Sequence, residues 1–65
     1  MIIRIYTNNT FLDIDVDINT NTEQLAVELS NGNMVGIEDV DKNMFYINGI
    51  NIIAIEVIKY TAPIE

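Results

Sequence analysis

The sequence predicts an all-β domain: a small antiparallel meander or small barrel of five to six short strands. Three observations carry this. Residues 12–18 read Leu-Asp-Ile-Asp-Val-Asp-Ile, a strict apolar/acidic alternation at the period of a half-buried strand. Asn31-Gly32 and Asn48-Gly49 each separate two apolar runs, the pattern of a tight hairpin turn. Within the last strand, Ile50–Tyr60, residues Ile52 to Ile58 are apolar on both faces except at Glu56, so it reads as a strand central in a two-layer core or covered by another subunit.

The first strand spans Ile2 to Thr7, with Ile3 and Ile5 on one face and Ile2, Arg4 and Tyr6 on the other. Asn8-Asn9-Thr10 supplies a turn, because Asn tolerates left-handed backbone. The second strand, Phe11–Ile18, then turns Leu12, Ile14, Val16 and Ile18 inward and Asp13, Asp15 and Asp17 outward. Asn19 to Thr22 is a polar break.

Glu23 to Leu29 fits two periods. A strand would turn Leu25, Val27 and Leu29 inward. A short helical turn near residues 22–30 would start at a Thr20/Glu23 capping box and stop at Gly32. We expect the strand, because Asn31-Gly32 leads directly into the apolar segment Met34–Asp39. Met44–Ile47 and Ile50–Tyr60 complete the series around the second Asn-Gly turn.

At 65 residues the chain is one domain, and a domain of this size buries only about 60% of its unfolded surface. Cysteine and histidine are both absent, which excludes disulfides and removes the usual zinc ligands. Self-association is then the common remaining source of stability, and the apolar last strand offers Ile52, Ile53, Ile55, Val57 and Ile58 for it. The longest apolar run, Ile52–Ile55, falls far short of the roughly 20 residues of a membrane span. The first residues lack a signal-peptide pattern, so the expected location is the cytoplasm.

Ten acids against Arg4, Lys42 and Lys59 give a net charge of −7. Nucleic acids are held by neutralising phosphates, so so acidic a chain is not expected to bind them. Basic protein surfaces are the electrostatically favoured partners. Isoleucine and asparagine, both with AT-rich codons, recur throughout and suggest a low-GC bacterium or its phage or plasmid.

Asp13, Asp15 and Asp17 recur about every 6.6–6.8 Å along one strand face. At that spacing neighbours repel by only about 0.6 kcal/mol in water-like dielectric. The row therefore suits a solvated outer face or a docking surface for a basic partner. A metal ion needs oxygens near 2.4 Å, closer than such a row can bring them alone. A calcium loop starting at Asp17 is not expected either, since Thr22 stands where the loop requires glycine and the flanking helices are missing. No metal or cofactor is expected. Glu38, Asp39 and Asp41 read as a solvated turn. With no histidine, cysteine or glycine-rich phosphate loop, an enzyme is not expected. The aromatic residues Tyr6, Phe11, Phe45, Tyr46 and Tyr60 suit core or interface; alternation places Phe11 beside the aspartates, a combination typical of interaction hot spots.

Val27-Glu28-Leu29-Ser30-Asn31-Gly32, followed by Gly36, Asp41 and Met44, resembles the first Sm motif, and Ile47-Asn48-Gly49-Ile50-Asn51-Ile52 is similar to the second. The resemblance covers about half the chain and implies an SH3/Sm-like barrel. It does not extend to RNA binding: Asn48 stands where the motif carries its RNA-contacting arginine, and Phe45 follows Met44 where it carries asparagine.

The leading functional expectation is a non-catalytic acidic protein, phage- or plasmid-encoded, that binds and blocks a basic host surface through Asp13, Asp15, Asp17 and Phe11. The alternative is a homo-oligomer binding a nucleotide-like ligand between subunits through Arg4, Lys42, Lys59 and Tyr46. A structural assembly subunit is a third reading.

Overall fold

A computed structural model describes residues 1–59 of the chain. The elements are β1 (Ile2–Tyr6), β2 (Phe11–Asp15), α1 (Thr22–Ser30), β3 (Met34–Glu38), β4 (Met44–Asn48), a 3-10 turn (Gly49–Asn51) and β5 (Ala54–Lys59). The fold is mostly β, with five strands in two antiparallel sheets and one short helix. One sheet has the order β2-β1-β5 and the other is the β3-β4 hairpin.

The β1–β2 hairpin follows the predicted pattern. Its turn closes on Thr7, whose N–H and hydroxyl both donate to the Thr10 carbonyl at 2.9 and 3.1 Å. Ile3, Ile5, Ile14 and Val16 are buried, so both strands turn the expected face inward. Leu12 pairs with Ile5 near the turn of the hairpin and stays 38% exposed. The two sheets meet where the Val40 N–H donates to the Asp15 carbonyl at 2.8 Å. The pairings of the described residues form two separate sheets, with no closed barrel ladder.

The strand expected over Glu23–Leu29 is a helix. Asn21 caps it, accepting the Gln24 N–H at 3.0 Å, one residue after the Thr20 of the capping-box alternative. Leu25 and Leu29, one helical turn apart, are buried, whereas Val27 is 53% exposed. A strand would have put all three on one face; the helical period buries only two. The tertiary environment decides between the periods, because the leucines close the core formed by Ile3, Ile5, Ile14, Val16 and Ile37.

Neither Asn-Gly pair makes a hairpin turn. Gly32 has φ +77° and ends α1, with its N–H donating to the Leu29 carbonyl at 3.0 Å. Left-handed backbone at the end of a helix is glycine's other common role. Asn48 instead caps the 3-10 turn, accepting the Ile50 N–H at 3.2 Å. The actual turn of the second hairpin is Asp39–Asn43, where the Asp39 carboxylate accepts N–H groups of Asp41 and Asn43 at 2.9 and 2.8 Å. The chain is therefore not a simple meander. After β4 it crosses back to pair β5 with β1, the strand farthest away in sequence. Among the described residues the two-faced apolar strand is likewise not central in its sheet: β5 pairs with β1 alone.

Candidate interaction surface

The outer face of the three-stranded sheet follows from register. Antiparallel pairing sets Arg4 of β1 between Asp13 of β2 and Glu56 of β5, and Tyr6 opposite Phe11. Arg4 makes a forked contact with Asp13, Nε to Oδ1 at 2.7 Å and Nη2 to Oδ2 at 2.9 Å. Its guanidinium carbon lies 4.0 Å above the centre of the Phe11 ring, within the range of a cation–π contact. The Tyr6 hydroxyl donates to Glu56 Oε1 at 2.6 Å, and its ring is tilted 52° against Phe11 with 6.2 Å between centres. Five side chains thus form one network across three strands.

The titration of the group follows the same contacts. The Arg4 hydrogen bonds hold the Asp13 carboxyl below the usual range, and Asp13 in turn raises Arg4 further. Donation to Glu56 raises the Tyr6 hydroxyl. At Asp39, partial burial pushes the carboxyl up, but backbone and side-chain hydrogen bonds from Asn43 and one from Asp41 outweigh it, so the net direction is down.

The three predicted aspartates are all exposed, but they do not form one free row. Asp13 is bound by Arg4. Asp15 faces the Met1 amino group at 3.4 Å. Asp17 lies past the end of β2 and accepts the Asn19 N–H at 2.8 Å, folding the polar break. No cluster of three or more acids capable of holding a metal ion occurs among the described residues. Phe11 remains 50% exposed beside Asp13, as alternation predicts.

The residues proposed for an anionic ligand are dispersed. Arg4 lies on the three-stranded sheet, Lys42 occupies the β3–β4 turn with φ 71°, and Tyr46 is 72% exposed on β4. The Lys59 side chain lies outside the described residues, as does Tyr60. The five predicted interface residues do cluster on and just before β5. Ile53, Val57 and Ile58 are exposed, while Ile52 and Ile55 are half-buried against the core. An open groove of about 110 Å³ runs beside them, lined by Ala26, Leu29 and Ser30 of α1 and by Ile52 to Ile55.

Alternation alone did not reveal the contacts of Arg4 with Phe11 and Asp13. The missing information was cross-strand register, which the Asn8–Thr10 turn sets by joining Tyr6 to Phe11. The pairing of Tyr6 with Glu56 spans 50 residues and left no local signal. No protein-family model, curated protein or solved structure matches this chain.

Proposed function

We propose that the protein is a non-catalytic interaction module that binds a basic protein surface through the outer face of its β2-β1-β5 sheet. One observation carries the reading. Phe11 is a half-exposed aromatic ring held between Arg4 and Tyr6 and followed on the same face of its strand by Asp13 and Asp15. A ring fixed by its neighbours loses little freedom on binding, and the acidic strand that carries it favours a cationic partner. Chain composition agrees, since ten acids and three cations leave a field that steers basic surfaces inward. In the mobile-element setting suggested by the isoleucine- and asparagine-rich composition, the proposed role is to occlude a basic surface of a host factor.

The test compares capture of basic proteins from host lysate by the wild type, Phe11→Ala and Asp15→Asn. Both substitutions leave the Arg4–Asp13 contact in place. Truncating a hot-spot aromatic costs at least about 2 kcal/mol, roughly 30-fold in affinity. Capture should fall accordingly, and more so as salt rises. Undiminished capture by both variants, with circular dichroism unchanged, refutes the reading.

A further inference from the structure

We propose that two copies of this chain pair edge to edge along β5, about a two-fold axis at Ile55, in one continuous six-stranded sheet. The argument starts from the edge itself. Among the described residues β5 pairs only with β1, so one row of its backbone N–H and C=O groups is open. Proteins normally blunt such edges with charge, proline or a bulge. Here the register shift lies beyond Val57, between the Ile3↔Val57 and Ile2↔Lys59 pairs, and leaves Ala54–Val57 regular. Glu56 is the only acid between Asp41 and Glu65. The opposite edge, β2, carries Asp13 and Asp15. Two bodies of charge −7 therefore repel least where their β5 strands meet.

Symmetry then restricts the register. An antiparallel pair related by a two-fold axis must set one residue against its own counterpart, because pair types alternate along the ladder. An axis at Glu56 would oppose two carboxylates directly. An axis at Ile55 sets Ile55 against Ile55 and Ala54 against Glu56; Ile53, which precedes β5 and donates its N–H to the Tyr6 carbonyl at 2.9 Å, then meets Val57 through its side chain only. The two Glu56 side chains are then only diagonal neighbours, about 7–8 Å apart. This register also brings Val57 of one copy to Ile53 of the other, at the wall of the groove between α1 and β5. Val57 and Ile53 are 44% and 63% exposed in the single chain, and each would cover the other. The groove, at about 110 Å³, is somewhat smaller than the roughly 150 Å³ apolar cavity that admits benzene, and has room for one aliphatic side chain.

A two-fold axis normal to a sheet keeps each face on its own side. The two networks of Arg4, Phe11 and Asp13 would therefore point the same way, giving a bivalent acidic face. That consequence rests on the basic-partner reading; the pairing itself does not.

Sedimentation of the purified chain, without any partner, should show a reversible dimer. Ile53→Lys and Val57→Lys should each yield monomer with unchanged circular dichroism, and Tyr46→Lys, on the other sheet, should remain dimeric. The chain has no cysteine, so single-cysteine variants report register directly. Ile55→Cys should oxidise to a covalent dimer. Ile53→Cys should not, since its counterpart lies four residues along the strand, about 13 Å away. A wild-type monomer at every concentration overturns the proposal. So does loss of the dimer in Tyr46→Lys alone, or cross-linking through Ile53→Cys in preference to Ile55→Cys.

Discussion

Gly49 is the buried residue of the 3-10 turn, and adding one methyl group there tests how α1, β3 and β4 are joined. A Cβ at this position would lie 2.5 Å from the Leu29 carbonyl oxygen, 2.8 Å from the Asn33 carbonyl oxygen and 3.1 Å from the Asn33 nitrogen. All three are backbone atoms, so no side chain can swing aside. The Gly49 N–H also donates to that same Asn33 carbonyl at 2.9 Å. Moving the turn outward would break this bond, worth about 0.5–1.5 kcal/mol. Keeping it in place forces overpacking worth about 1–3 kcal/mol. Gly49→Ala should therefore cost about 1–3 kcal/mol. A domain of this size has roughly 3–10 kcal/mol in total, so the melting temperature should fall by roughly 5–25 °C. Gly36→Ala is the internal control. Its Cβ would meet the Tyr46 ring at 3.3 Å, but that side chain is 72% exposed and free to move. It should stay within about 0.5 kcal/mol of wild type. Urea unfolding followed by far-ultraviolet circular dichroism measures both. Equal stability of the two variants would refute the packing assigned to the turn.

Asn21→Ala removes the acceptor for the Gln24 N–H at the start of α1 and should cost about 1 kcal/mol in the same assay; no loss would mean the cap is idle. Asp13 and Asp39 have carboxyls depressed below their unfolded values. Such groups stabilise the fold above the unfolded pKa of about 3.9, and that contribution is lost as pH falls through the native values. The urea midpoint should therefore drop on acidification from neutrality to about pH 3, with a smaller drop in Asp13→Asn. A midpoint that rises over that interval contradicts the assigned contacts.

The strands were legible where one face is buried and the other is wet. Residues 12–18 alternate because Ile14 and Val16 meet the core while Asp13, Asp15 and Asp17 meet water. The helix was ambiguous because its nine residues contain only two buried positions, and Leu25, Val27 and Leu29 satisfy either period. The Asn-Gly pairs misled for a related reason. Such a dipeptide signals left-handed or capped backbone, which a hairpin turn and a helix end both use. The packing of Leu25 and Leu29 selects the helix end at Gly32, and the contact of Gly49 with Leu29 and Asn33 selects the 3-10 turn. Residue types named Phe11 and Asp13 as candidates, but only cross-strand pairing shows that Arg4 holds both.

On the two proposals, the distribution of charge separates the partner surface from the self-pairing edge. Asp13 and Asp15 occupy β2, at one edge of the three-stranded sheet, and Arg4 and the Met1 amino group meet them there. At the other edge, β5 carries Glu56, whose carboxylate accepts the Tyr6 hydroxyl on the outer face. The open side of β5 is left to Ile53, Ile55 and Val57 and to an apolar groove. A cationic partner is favoured more at the acidic β2 edge beside Phe11 than at β5, where desolvating its charges would go uncompensated. A second copy of the chain faces the reverse balance, because like charge opposes it at β2 and apolar burial favours it at β5. The same sheet can thus separate self-association from partner binding by edge, and Ile53→Lys and Phe11→Ala should abolish one without the other.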